Sequence, residues 1–307
     1  MGLPQEKKND PMAPYIATHN IILAHAAATK AYREKYKATQ GGEIGLSLVC
    51  KWFEPHTMDP MDHDAAKTAA DFVVGWYMDP LCYGDYPAAM KEWVHGLPEF
   101  SEEEKKLVKG AYDFIGVNYY TSRYARPVKQ CTIDLEKGHT KLEYIEEKVD
   151  RDGKHIGLLA DGSDKIYIYP EGLRDLLIYL KKQYKDPKLY ITENGVPSKP
   201  SITVSVKEAE AAGKKEEMDK VLNDEYRIDH IRNHLRAVHE AIRKGANVNG
   251  YFVWTLMDNM EVGEGYEVRF GLNYVDYLDN HERYPKKSAK WFYSFLKPLA
   301  KFSGTEM

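Results

Sequence analysis

The order of apolar runs along the chain constrains the fold more than any other feature. Four short runs lie at about 44–49, 114–118, 189–193 and 250–254, each bounded by polar or turn residues, as is typical of buried strands. Amphipathic helical patterns separate them, and strands that alternate with helices at this spacing predict parallel β/α units. The predicted helices cover about 15–36, 62–78, a short segment opened by a capping box at Ser101–Glu104, 173–184, 225–244 and 285–296.

Other segments lack these patterns. Residues 1–14 are polar and rich in Pro, and they are expected to be poorly ordered. The charged stretch 126–153 is expected to be a long connection containing a hairpin, and 197–224 a solvated surface loop. The 307 residues are enough for one domain or a large part of one.

A carboxylate at the end of the third strand is the first indication of a site. Glu193 follows the apolar run that begins at Leu189, and Asn194-Gly195 behind it predicts a turn. Burying an unpaired carboxylate is costly, so a Glu at such a position is either paired or used. Alone, the stretch leaves open both a functional carboxylate and a structural one that pairs with Lys or Arg.

Further motifs make the pattern specific. The motifs are Asn118-Tyr119-Tyr120, Ile191-Thr192-Glu193-Asn194-Gly195, and the strand Gly250-Tyr-Phe-Val-Trp254 continuing through Glu261 to Arg269-Phe270-Gly271. In this order they resemble glycoside hydrolase family 1, of the plant β-glucosidase type. The resemblance implies an α/β fold, the (β/α)8 TIM barrel, of which this chain would cover about strands 5–8 as a single partial barrel domain over 1–307.

The resemblance also implies a role for each motif residue. Glu193 would be the nucleophile of a retaining glycosidase that hydrolyses β-D-glucosides of plant specialised metabolites, without cofactor or metal. Tyr120 would donate a hydrogen bond to Glu193, and Asn118 would lie near the acid/base. The residues expected around the glucose ring are the platform Trp254, the hydroxyl-binding Glu261 and the aromatic wall Phe270.

One family motif is missing, and two further positions depart from the family pattern in a way that indicates a specialised substrate or a lost activity. The family's Thr-Phe/Leu-Asn-Glu-Pro motif, which carries the general acid/base, is absent from the 307 residues. Val262 stands where the family has a Trp beside the hydroxyl-binding Glu, and Lys165 stands where plant members have a Trp that flanks the aglycone. The alternative function is a non-catalytic sugar-binding or interaction protein that acts with a full-length homologue.

Four β/α units cannot close a barrel. They would leave two open strand edges and half of an apolar interior exposed. We therefore expect self-association, or pairing with an amino-terminal half or a full-length homologue.

Composition and charge exclude other classes of partner. The chain is 43% hydrophobic and 29% charged, with a net charge of −4 and no basic block, so neither nucleic acid nor an anionic membrane is expected. No apolar run is long enough to span a bilayer, and no targeting signal indicates a compartment. Cys50, Cys82 and Cys131 lack the spacing of a metal site or a disulfide framework.

Three histidines on one predicted helix are the only other candidates for chemistry. His230 and His234 have the i, i+4 spacing of a zinc pair, and His239 follows. No Glu lies between them in the metalloprotease pattern, and the surroundings are rich in Arg. We interpret them as exposed or packing residues.

Overall fold

The structure is a computed structural model that describes residues 10–128, 145–199 and 204–300, without the side chains of 298–300. The helices are α1 (Ala13–Lys35), α2 (Lys37–Gln40), α3 (Pro60–Ala70), α4 (Trp76–Tyr83), α5 (Ala88–Trp93), α6 (Glu102–Val108), α7 (Pro170–Gln183), α8 (Val206–Ala211), α9 (Lys215–Leu222), α10 (Glu225–Arg243) and α11 (Lys287–Ala300). The strands are β1 (Gly45–Pro55), β2 (Phe114–Pro127), β3 (Ile145–Lys148), β4 (Asp150–Arg151), β5 (Lys154–His155), β6 (Leu158–Leu159), β7 (Tyr167–Ile168), β8 (Leu189–Asn194), β9 (Val248–Val253), β10 (Asn273–Asp276) and β11 (Glu282–Pro285).

The central sheet has the strand order β1-β2-β8-β9, and every pairing along this path is parallel. These are the four strands that the sequence predicts, so the predicted parallel β/α arrangement is confirmed. β3 adds to the far end of β2 in antiparallel orientation. Within the described residues β1 and β9 each pair with only one strand of this sheet, which is therefore open at both edges.

In the part of the chain that the structure describes, helices cover one face of this sheet and leave the other open. Leu48, Val117 and Ile191 are buried against α1, α4, α7 and α10 in the main core. On the opposite face, Val49 is 69% exposed and Phe252 is 57% exposed. Parallel sheets are normally covered on both faces, so an apolar face open to solvent is unusual for this topology.

Several predicted boundaries need correction. α1 begins at Ala13, inside the 1–14 stretch expected to be poorly ordered, and residues 1–9 lie outside the described part. The helix predicted over 62–78 begins at Pro60, passes through one π-helical turn at Asp71–Gly75, and ends at Tyr83. The predicted strand over 44–49 extends through Trp52 to Pro55, because β2 continues to pair with it.

The stretch predicted as a surface loop contains two helices. α8 and α9 lie within 197–224, and the first of them has a reciprocal capping box between Ser205 and Glu208. Val206 and Val221 pack against Tyr274, so part of this segment contributes to a small core. The two helices are short and mostly polar, so apolar periodicity did not predict them.

Two smaller predictions are confirmed. Ser101 and Glu104 form the predicted capping box at the start of α6. The connection over 126–153 includes antiparallel pairing of β3 with β2 and a short β4-β5 hairpin, while residues 129–144 lie outside the described part. The last helix begins at Lys287 instead of Pro285, because β11 occupies Glu282–Pro285.

Cys50 and Cys82 are buried free thiols, and Cys131 lies outside the described residues. In the part of the chain that the structure describes, no cluster of three or more His, Cys, Asp or Glu side chains could hold a metal ion. No helix there is long and apolar enough to cross a membrane.

His230 and His234 form a buried pair on α10. Their ring centroids are 4.0 Å apart with the ring planes tilted by 32°, and His234 Nδ1 bonds the backbone oxygen of His230 at 2.8 Å. Among the described residues the other three ring nitrogens have no hydrogen-bond partner. His239 is exposed, so the expectation of exposed or packing roles holds for all three.

We predict that this pair makes the fold sensitive to acid. Burial lowers the pKa of His234 to about 4, and burial together with the charges of His234 and Arg227 lowers the pKa of His230. The unfolded chain binds protons at His near pH 6.5, so stability falls as the pH drops from about 6.5 to 4, by roughly 3 kcal/mol for His234. His234→Phe should flatten this loss in chemical denaturation, while His239→Phe should keep the wild-type slope. Equal slopes in all three proteins would contradict the prediction.

Candidate active site

The carboxyl ends of β2 and β8 bring Tyr120 and Glu193 together. Tyr120 Oη donates to Glu193 Oε2 at 2.7 Å. A register shift after Val117 places Asn118 opposite Glu193. Burial, and then the hydrogen bond and charge of Glu193, raise the pKa of Tyr120 far above its usual range, so the phenol remains a donor.

The backbone on both sides of Glu193 is held by side-chain hydrogen bonds. Thr192 Oγ1 donates to Asn118 Oδ1 at 2.5 Å. The fully buried Asn194 donates to the backbone oxygen of Tyr119 at 2.7 Å and accepts from the hydroxyl of Tyr251 at 2.6 Å. These contacts join β2, β8 and β9 at their carboxyl ends, so the direction of the Glu193 side chain is set by three strands.

A second carboxylate lies on the segment that follows β9. Trp254 Nε1 donates to Glu261 Oε1 at 3.2 Å. Glu261 and Gly265 exchange backbone hydrogen bonds of 2.7 and 2.8 Å, which form a tight hairpin. Burial raises the pKa of Glu261, the indole N–H of Trp254 opposes this, and the charges of Glu264, Glu193 and Asp258 add to it. Glu193 and Glu261 are thus close enough to repel each other across one site.

An aromatic ring lies beside these carboxylates. Phe270 is buried, and its ring meets the Tyr120 ring edge-on at 6.1 Å between centroids. The motif residues therefore converge at the carboxyl ends of the strands.

The two positions that depart from the family, Val262 and Lys165, lie at the exposed rim of the site. Val262 is 88% exposed at the tip of the Glu261 hairpin. The ammonium of Lys165 pairs with Glu264 at 3.1 Å, which joins the loop before β7 to this hairpin. Sequence reasoning placed Lys165 at the site but did not predict its partner.

Buried charges behind the site were missed by sequence reasoning. Asp258 is almost fully buried and accepts from Gly271 N at 2.8 Å, from Val275 N at 3.3 Å and from Lys286 Nζ at 2.9 Å. Burial, with the charge of Arg227, lowers the pKa of Lys286 to about 8. Asp258 lies in the motif that runs from Gly250 through Glu261. Nothing in the sequence around Lys286 indicates that this lysine is buried.

The strand ends approach so closely that Gly195 is required. A Cβ at this position would overlap the backbone oxygen of Trp254. Trp254 N donates to the backbone oxygen of Asn194 at 2.9 Å, and the Trp254–Thr255 peptide bond is cis. The hydrogen bond to Asn194 attaches the Trp254 backbone to the segment directly behind Glu193.

A parallel α/β sheet with carboxylates, an indole and a phenol at the carboxyl ends of its strands has the arrangement typical of α/β-barrel proteins, which place their sites at this end. The chain belongs to glycosyl hydrolase family 1, whose family model matches residues 2–298. The predicted family is confirmed.

The matched relatives are plant β-glucosidases. Beta-glucosidase 24 of Oryza sativa subsp. japonica is 45% identical over 284 residues, which cover 92% of this chain and 54% of the relative. Furostanol glycoside 26-O-beta-glucosidase of Hellenia speciosa is 46% identical, over 92% of this chain and 48% of the relative. The chain spans about half the length of the curated relatives it matches, and the matches lie in their carboxyl-terminal part.

Solved structures agree with this assignment. A rice β-glucosidase is similar with a TM-score of 0.83 and 41% identity, over 92% of this chain and 57% of that protein. A family 1 β-glucosidase of Thermotoga maritima has a TM-score of 0.76 and 30% identity, over 97% and 59%. The predicted fold class, a partial (β/α)8 barrel, is confirmed.

We predict that removing the indole donor changes the acidity of Glu261. Trp254→Phe should raise the pKa of Glu261 further, because the Trp254 N–H favours the ionised carboxylate. Titration of ¹³C-labelled Glu side chains by NMR measures this. Trp52→Phe is the matched control, since Trp52 Nε1 donates to Glu54 at 2.7 Å elsewhere in β1. A Glu261 titration unchanged by Trp254→Phe would contradict the prediction.

Proposed function

We propose that this chain carries the nucleophile and the glucose-binding side of a retaining β-glucosidase. The observation that carries the proposal is the 2.7 Å hydrogen bond from Tyr120 to Glu193 at the carboxyl edge of the sheet. A carboxylate used as a nucleophile must be ionised and oriented, and a protonated phenol favours both. Membership of a family whose matched relatives are named β-glucosidases supports the substrate class.

In the proposed reaction Glu193 attacks the anomeric carbon of a β-glucoside. The bond from that carbon to the aglycone oxygen breaks, and its electron pair remains on the departing oxygen. The glucosyl ester on Glu193 is then hydrolysed by water with net retention of configuration.

The sugar ring is proposed to lie against the second group of residues. Glu261 accepts hydrogen bonds from ring hydroxyls, Trp254 forms an apolar platform, and Phe270 closes one wall. Asn118, which is buried and bonded to Thr192, is proposed to lie toward the acid/base side of the site.

The rim residues are proposed to alter aglycone selection. An exposed Val262 and a Lys165 paired with Glu264 offer no flat aromatic surface to an aglycone. Polar or anionic aglycones can replace Glu264 as the partner of the Lys165 ammonium. They are therefore favoured over flat aromatic aglycones.

The 307 residues contain no acid/base motif, so the proposed activity of this chain is lower than that of an enzyme with a general acid. A departing alkoxide needs a proton, and the loss of general acid catalysis costs roughly 10²–10⁴-fold. Activated aryl glucosides, whose leaving groups are stable anions, are therefore cleaved better than alkyl glucosides. The same absence supports the second candidate function, a sugar-binding or interaction protein without turnover.

We predict that a 2-deoxy-2-fluoroglucoside with a dinitrophenyl leaving group labels the chain on Glu193. The activated leaving group departs without an acid, and the fluorine slows hydrolysis of the ester. Peptide mass spectrometry locates the label. Glu193→Gln should abolish labelling, whereas Glu261→Gln should slow it and leave the label on Glu193. A label on Glu261, or none on the wild-type chain, argues against the enzymatic proposal, and saturable glucose binding without labelling favours the second function.

We further propose that the open sheet pairs with a second set of β/α units. The exposed side chains Val49 and Phe252 lie on the edge strands, and the neighbouring helices expose Ile21 on α1 and Tyr293 on α11. Apolar groups at both edges support closure of the sheet by an amino-terminal half, a full-length homologue or a second copy.

We predict that the pure chain self-associates at micromolar concentration. Phe252→Lys should weaken this association, because it places a charge on the apolar sheet face. Leu158→Lys is the control, since Leu158 is 75% exposed on the separate β6-β7 hairpin. Sedimentation across a dilution series measures both variants. A compact monomer that binds little apolar dye would contradict the pairing proposal.

A further inference from the structure

Arg227 is the largest fully buried side chain of the described residues. It lies in the first turn of α10 and is 1% exposed. Its Nε donates to Asp224 Oδ2 at 2.9 Å, so its charge is paired. Asp224 also accepts from the backbone N–H and the hydroxyl of Ser288, at 2.8 and 2.5 Å, at the start of α11. The ion pair is thereby anchored to two helices.

The other guanidinium donors end mainly on backbone oxygens of two loops. Nη1 donates to the backbone oxygen of Val196, in the loop behind Glu193, and to that of Phe270 at 3.0 Å. Nη2 donates to the backbone oxygen of Arg269 at 3.1 Å. One rigid planar group thus joins the loop behind the proposed nucleophile to the loop of the aromatic wall.

The same oxygen of Phe270 connects Arg227 to the indole platform. Thr255 N–H donates to this oxygen at 3.2 Å, and Thr255 directly follows Trp254. Trp254 N in turn donates to the backbone oxygen of Asn194 at 2.9 Å. A displacement of the Phe270 backbone therefore reaches Trp254 and β8 through these two hydrogen bonds and the covalent link between Thr255 and Trp254.

We infer that Arg227 is a positioning residue that sets the separation between Glu193 and the wall formed by Trp254, Glu261 and Phe270. Lysine cannot replace it, because a single ammonium lacks the forked planar geometry that reaches several acceptors at once. The inference rests on the proposed function for its effect on chemistry, but its geometric part does not. Misplacement of a bound sugar by about 1 Å costs up to roughly 100-fold in rate.

The test compares Arg227→Lys with Arg232→Lys. Arg232 lies on the same helix, forms a surface ion pair with Asp229 at 2.7 Å and lies over the Trp291 ring at 5.6 Å, away from Val196 and Phe270. The first readout is the indole ¹H–¹⁵N resonance of Trp254, one of five tryptophans, assigned with Trp254→Phe. The second is the rate of covalent labelling of Glu193 by the fluoroglucoside, normalised to folded protein.

We expect Arg227→Lys to shift or broaden the Trp254 resonance and to lower the labelling efficiency roughly 10- to 100-fold. Arg232→Lys should match the wild type in both readouts. A purely structural role would reduce the free energy of unfolding of Arg227→Lys and leave both readouts of the folded protein unchanged. That result would overturn the inference.

A second variant covers the case in which Arg227→Lys does not fold. The double variant Asp224→Asn/Arg227→Gln removes both charges together, which avoids the cost of leaving one buried charge unpaired. A displaced Trp254 resonance in this variant supports the inference, and an unchanged one refutes it. If the wild-type chain is not labelled at Glu193, the proposed function fails, and the Trp254 resonance still decides whether Arg227 positions the wall.

Discussion

Parallel pairing of β2 with β8 is the interaction on which the candidate site depends. The register of this pairing places the end of β2 beside Glu193, so that Tyr120 reaches the carboxylate without any distortion of a loop. A shift of one residue would turn Tyr120 toward the opposite face of the sheet. The covered core on that opposite face therefore does more than stabilise the fold, since it also selects the register that the site requires.

Two ion pairs behind this site differ from ordinary surface ion pairs because they are buried. Asp258 pairs with Lys286, Asp224 pairs with Arg227, and both pairs are buried. Asp258 and Arg227 also form hydrogen bonds to the backbone of the loops around the site. Buried ion pairs contribute little net stability, because desolvation offsets their attraction. Their role here is geometric, because Asp258 and Arg227 each bind several backbone groups of the segments around Val196 and Phe270.

The sequence predicted the central sheet well because its strands are apolar, short and separated by periodic helices. It also predicted which residues converge at the carboxyl edge, since Tyr120, Glu193 and Glu261 belong to motifs. It did not predict α8 and α9, whose polarity resembles that of a loop, and it did not identify Arg227. Arg227 lies in helical phase with the buried Ile231 and Val238, but arginine is usually exposed, so its residue type gives no indication of burial. Only the tertiary contacts of its guanidinium distinguish it from neighbours such as Arg232.

The close approach at Gly195 has an evolutionary consequence. Any side chain there would collide with the backbone of Trp254, so neither strand end can change without moving the other. The rim is under no such constraint, because Val262 is exposed and the side chains of Lys165 and Glu264 pair at the surface. Substitutions can therefore accumulate at the rim without moving the backbone of the site, while the strand ends at Gly195 and Trp254 can change only together.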